Sequence, residues 1–138
     1  MKILIVEGSK IVRENLIRYL ALENLFEEVE VLEAETVKEA KMVMQINIID
    51  VILLEIQLPD ASGLELMLQI RKMPQQPIMI LCSNYKLPQY INIYENMSIN
   101  HFFNKSSELT ELKLFIKKLV MDRRNLSNIN SKTKFKLN

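Results

Sequence analysis

The chain has two glycines, one cysteine, one histidine and no tryptophan in 138 residues, and each scarcity closes off a class of answer. So few glycines argue against a loop-rich or repeat-built fold, and no internal repeat is visible. One cysteine, Cys82, rules out an internal disulfide and fits a reducing compartment. The lone histidine, His101, has no second ligand beside it and is expected at the surface where a strand begins. No apolar run approaches the roughly 20 residues needed to span a bilayer. The apolar stretch after Met1-Lys2 is too short for a signal peptide. No glycine-rich loop follows the first apolar run, which weakens nucleotide or flavin binding. Charge of one sign is also missing from the whole, at net +1, but it is unevenly placed. Residues 1–122 hold 13 basic against 17 acidic residues, a net −4, and the five bases after them face no acid. An acidic body gives no footprint for nucleic acid, and a basic end alone would bind it weakly and with strong salt dependence. The expectation is a cytoplasmic domain, 1–122, with a basic polar tail, 123–138, bound to neither membrane nor nucleic acid.

What is present is a regular alternation. Ile3–Val6, Val51–Leu54 and Pro77–Leu81 are short continuous apolar runs, which suits strands buried on both faces. Val29–Glu33 alternates, as an edge strand does, and Ile99–Phe103 completes a fifth. Between them lie helical spacings. Ser9 caps a helix carrying Val12, Leu16 and Leu20 toward Asn24. Thr36 caps one with Val37, Ala40 and Val43, and Ser62 opens one with Leu64, Met67 and Leu68. The fourth predicted helix, within Tyr85–Met97, has the least clear pattern, since Pro88 fits only a first turn. The last, Glu108–Asp122, is plainly amphipathic. Beyond Arg124 the composition turns to Asn, Ser, Thr and Lys and reads as a frayed or disordered end. Strands alternating with helices through tight loops predict right-handed crossovers and a parallel sheet. The expected fold is flavodoxin-like (βα)5, α/β in a three-layer sandwich, with five parallel strands in the order 2-1-3-4-5.

In such sheets the chemistry sits beyond the carboxyl ends of the strands. Those ends here deliver Glu7, Glu55, Cys82 with Ser83, and Lys105 to one crevice. Any one of them alone reads as a solvated strand end, and Cys82 alone as a small buried hydrophobe. Their convergence is what makes a site.

These residues resemble the receiver domain of bacterial response regulators over residues 1 to about 122. The pieces that carry the resemblance are Ile3-Leu-Ile-Val-Glu-Gly-Ser-Lys10, Leu54-Glu55 with Pro59 and Gly63 following, Pro77–Ser83, and Phe102-Phe-Asn-Lys105. The resemblance implies an aspartate at the position of Glu55, phosphorylated by a sensor histidine kinase. It implies two adjacent acids, where Glu7 and Gly8 stand, that help to hold Mg²⁺. It further implies a hydroxyl at Cys82 and a lysine at Lys105 that contact the phosphoryl group, and an aromatic at Phe102 that reports the switch. Ser106 stands where a proline usually follows the lysine.

The departures fall on the chemistry and spare the scaffold. Gly8 supplies no carboxylate, and Mg²⁺ demands near-octahedral geometry. Glu55 reaches about 1.5 Å farther than aspartate, and misplacements of ~1 Å can cost on the order of 100-fold in a positioned reaction. Cys82 is a weak donor in place of a hydroxyl. No cofactor is expected, with Glu7, Glu55 and Gln57 as weak candidates for Mg²⁺. Glu55 brings a charge of −1, against about −1.5 to −2 for a phosphate, and so acts as a partial mimic. The leading expectation is a module of a two-component phosphorelay, not an enzyme, acting by phosphorylation-independent contact with a histidine kinase or a downstream effector. Homodimer formation would use the face of the fourth helix, fifth strand and fifth helix, lined by Tyr90, Ile91, Tyr94 and Lys117. The alternative is a phosphoacceptor using Mg²⁺, through Glu55 or a neighbour such as Asp60, that catalyses its own dephosphorylation.

Overall fold

The continuous apolar runs pair with one another, because a strand buried on both faces has nowhere else to satisfy its backbone. The computed structural model describes residues 1–21, 29–84, 96 and 101–137, with side chains as far as Leu126. Its elements are β1 (Lys2–Val6), α1 (Lys10–Ala21), β2 (Glu30–Ala34), α2 (Val37–Ile46) and β3 (Val51–Leu54), then α3 (Gly63–Arg71), β4 (Ile78–Ser83), β5 (Phe102–Asn104) and α4 (Leu109–Leu137). The five strands form one sheet in the order β2-β1-β3-β4-β5, every pair parallel. This is the expected topology. The fourth predicted helix lies, apart from residue 96, outside the described residues, so the last helix carries the label α4.

Period-two alternation splits the sheet's side chains between two layers. Leu4, Val6, Ile52, Leu54, Met79 and Leu81 face α2 and α3, meeting Val37, Ala40, Leu66, Met67 and Ile70. Ile3, Ile5, Val51, Leu53, Ile80 and Cys82 face α1 and α4, meeting Leu16, Leu20, Leu112, Ile116 and Val120. β2 is half-wet along its length, as an edge strand should be.

Three boundaries differ from expectation. β4 runs on through Cys82 and Ser83 because both pair with β5, opposite Phe103 and Asn104. β5 itself begins at Phe102 within the described residues. The last helix does not stop near Asp122 but continues through 29 residues to Leu137, so 123–137 is helical where a frayed or disordered end was expected. The composition there is polar, but no glycine or proline occurs after Pro88 to break a helix. Arg123 also ties that helix to the sheet, its Nη1 lying 2.8 Å from Asp50 Oδ1. Among the described residues no helix is long and apolar enough to cross a membrane.

Candidate functional site

Parallel strands bring their carboxyl ends to one rim, and four of these ends build the site. Glu7 follows β1, Glu55 follows β3, Ser83 closes β4, and Lys105 follows β5. Glu55 is held to β1 by its own amide, which donates to Val6 O at 3.0 Å, and the Lys105 amide donates to Ser83 O at 3.3 Å. The backbone ladders therefore set the spacing before any side chain acts.

The side chains then close on one another. Lys105 Nζ donates to Glu7 Oε1 at 2.6 Å and lies 3.2 Å from Glu55 Oε2. Ser83 Oγ donates to the other oxygen, Glu55 Oε1, at 3.0 Å. The Gln57 amide approaches that same oxygen at 3.4 Å. Gly8 N donates to Glu7 Oε2 at 2.9 Å. Glu7 and Glu55 are 6% and 4% exposed, so the two acids share one largely desolvated lysine. The contact of Glu55 Oε2 with the ammonium is an ion pair poorly aligned for a hydrogen bond, and no other donor among the described residues reaches that oxygen. Burial works against the charged form of Lys105, but the hydrogen bond it donates to Glu7, the charges of Glu55 and Glu7 and its contact with the Glu55 carboxylate outweigh it, and its pKa is raised.

The predicted residues do not all take the places expected of them. Ser83, and not Cys82, brings a hydroxyl to Glu55. Cys82 packs in the apolar layer under the site, and burial, with Lys105 opposing and Glu55 and Glu7 adding, pushes its thiol up to about 12. Phe102 packs against the layer that faces α2 and α3. Lys117 is half-buried on α4, while Tyr90, Ile91 and Tyr94 lie outside the described residues. His101 is not free at the surface: its ring lies 4.5 Å from that of Phe115. Arg13, unremarked in the sequence, is buried and donates to Glu7 O at 2.6 Å and to Glu33 Oε1 at 3.3 Å. Its signal was its spacing, since 13, 16 and 20 share the buried face of α1.

A tight loop carries Glu55 into α3. Gly63 N donates to Ile56 O at 2.6 Å, and Ser62 caps α3 by accepting from Leu64 N. Asp60 leaves this loop to accept from Val37 N at 2.9 Å and Lys38 N at 3.0 Å, where the open amides and dipole of α2 favour an anion. Those two hydrogen bonds, Val37's above all, hold the Asp60 carboxyl below its ordinary value of 3.8. Asp60→Ala is therefore expected to lower the thermal unfolding temperature, with Asp60→Asn, which keeps one acceptor, in between. The contribution exists above about pH 3.8 and is lost as pH falls through the depressed value. The Ala deficit measured across an acid series should accordingly vanish; a deficit constant to pH 2 would exclude this origin.

The residues present do not fit the Mg²⁺ that the resemblance implies. Gly8 offers no side chain, and a Cβ there would meet Pro59 Cδ at 3.0 Å. The space of about 10 Å³ that touches Glu7, Glu55 and Lys105 is otherwise walled by Ile5, Val6, Leu16, Leu53 and Cys82, apolar side chains that offer none of the oxygen ligands Mg²⁺ takes. Among the described residues no group of three or more His, Cys, Asp or Glu could hold a metal. Two wider clefts, about 440 Å³ beside Arg13 and Glu33 and about 500 Å³ between Met44 and Pro77, include neither Glu55 nor Lys105.

The sequence model for the response regulator receiver domain matches residues 3–117. Among curated proteins, the chain is similar to the transcriptional regulatory protein LytR of Staphylococcus aureus, 37% identical over 83 residues that cover 60% of this chain and 33% of the relative. It is also similar to the transcriptional regulatory protein PmrA of Pectobacterium parmentieri, 32% identical over 96% of this chain and 57% of the relative. The chain thus spans about a third to somewhat over half the length of these relatives. Among solved structures, a two-component response regulator from Clostridium difficile superposes with a TM-score of 0.74 at 26% identity, covering 91% of this chain and 98% of that one. A CheY-like receiver domain protein from Methanospirillum hungatei gives 0.74 at 22%, covering 90% and 96%, a likeness of fold.

Proposed function

Because the chain belongs to the response regulator receiver domain family, we propose that it is a receiver-like module of a two-component pathway that signals by contact, without being phosphorylated. A receiver is ordinarily a bistable element biased by a phosphoryl group. Here Glu55 supplies a built-in anion in its place. The observation that carries this reading is the pair of contacts already made by that carboxylate: Lys105 at 3.2 Å on one oxygen and Ser83 at 3.0 Å on the other. A carboxylate held in this way is a poor nucleophile. Its oxygens are engaged, and an incoming phosphoryl group would have to displace the ammonium. Phosphoryl transfer depends on positioning and charge neutralisation, and Gly8 contributes nothing to either.

The partners this reading implies are a histidine kinase or a downstream effector, with a second copy of the chain as a further candidate. The transcriptional regulation in the names of LytR and PmrA belongs to whole proteins of which this chain matches a part. The deciding experiment is to incubate the protein with a small-molecule phosphodonor and Mg²⁺ and weigh it intact. The mass is expected to stay unchanged. A phosphoryl adduct mapped to Glu55 would overturn the proposal, and one on Asp60 would point to the self-dephosphorylating alternative.

A further inference from the structure

We propose that the Lys105 ammonium is the resident cation of this pocket, seated between Glu7 and Glu55 where a receiver would hold its divalent metal, so that the site excludes metal by competition. The inference deepens the reading of Glu55 and Lys105 as a preassembled pair, but it can fail separately from it.

Three observations carry it. The first is position: Nζ lies 2.6 Å from Glu7 Oε1 and 3.2 Å from Glu55 Oε2, one oxygen of each acid that could otherwise face a metal. The second is Glu55 Oε2 itself, buried and, among the described residues, with no well-aligned donor beside the ammonium at 3.2 Å. It points at a positive charge that does not bond to it along a preferred direction, a relation a metal would also satisfy. The third is room. The space that touches Glu7, Glu55 and Lys105 is about 10 Å³ and is otherwise walled by Ile5, Leu16, Leu53 and Cys82 of the apolar layer, and the place of the missing third carboxylate at Gly8 abuts Pro59. A divalent ion bridging both acids would have to take the place of the ammonium that now lies against each of them.

Removing the ammonium should therefore uncover what it covers. Two desolvated carboxylates left side by side repel each other, and a divalent cation relieves both charges at once. The experiment is thermal unfolding of wild type, Lys105→Ala and Lys105→Gln with 0 or 10 mM MgCl₂ or MnCl₂ at matched ionic strength. Wild type is expected to ignore the metal. Either variant, bound with a dissociation constant near 1 mM, would gain an ~11-fold shift in its folding equilibrium, or about 5 °C. A wild type that responds to metal overturns the proposal, and so does a folded variant that ignores it. Should neither variant fold, direct Mn²⁺ titration of wild type decides: binding at millimolar metal overturns the idea and its absence upholds it. A wild type that takes a phosphoryl group yet ignores free metal would sink the proposed function and leave this inference standing. A metal-responsive wild type without an adduct would do the reverse.

Discussion

Gly63→Ala is expected to lower the melting temperature by about 10 °C, from an overpacking cost of about 3 kcal/mol. The added Cβ would fall 2.2 Å from the carbonyl oxygen of Glu55 and 3.1 Å from the Ile56 Cα. Both are backbone atoms, so no side chain can swing aside. Relief requires the β3–α3 connection to open, which also stretches the 2.6 Å hydrogen bond from Gly63 N to Ile56 O. Gly8 is the internal control. Its Cβ would meet only the rim of the Pro59 ring, at 3.0 Å and 3.2 Å, and the ring can retreat by a few tenths of an ångström. Gly8→Ala should therefore cost clearly less, and urea denaturation of the two variants side by side measures the difference. Equal midpoints would show that the loop is looser than described.

The second large effect is electrostatic. Lys105→Met keeps most of the volume of the side chain but removes the ammonium that lies against both acids, each under 7% exposed. Breaking a buried pair by deleting one partner costs about 3–5 kcal/mol, and the loss here should fall in that range. Adding Glu7→Gln and Glu55→Gln to the same chain should recover much of it, because a pocket emptied of all three charges no longer holds an uncompensated one. A loss under about 1 kcal/mol for the single variant would mean that water already reaches the acids. The pH dependence has a definite sign. Lys105 is raised above its ordinary 10.5, so its contribution is complete below that value and disappears only as pH climbs through the raised one. The gap between wild type and Lys105→Met should accordingly hold through neutral pH and close in strong alkali.

The strands β1, β3 and β4 were legible because a strand buried on both faces must be a near-continuous apolar run, and Ile3–Val6 or Val51–Leu54 admits few other readings. The meeting of Glu7, Glu55 and Lys105 followed from topology alone, since parallel strands can only bring their carboxyl ends to one rim. Finer placements did not follow. Whether Cys82 or Ser83 turns its side chain to Glu55 depends on how far β4 pairs with β5, and that pairing extends two residues past the apolar run. Asp60 could be seen in the sequence, but its target, the first turn of α2, is more than twenty residues away. Arg13 carries no mark in the sequence of its partner, the backbone carbonyl of Glu7, because that contact depends on how α1 packs beside the end of β1. The length of the last helix was hidden by its polar composition, where the absence of glycine and proline was the better guide.

The buried triad of Glu7, Lys105 and Glu55 also behaves differently from the apolar layers when heated. Hydration of charged groups carries a strongly negative entropy, so water's hold on them weakens with temperature and the penalty for keeping them dry falls. Apolar burial gains little over the same interval. The ionic clasp at the rim of the sheet therefore costs least to keep closed when the sheet beneath it is nearest to letting go.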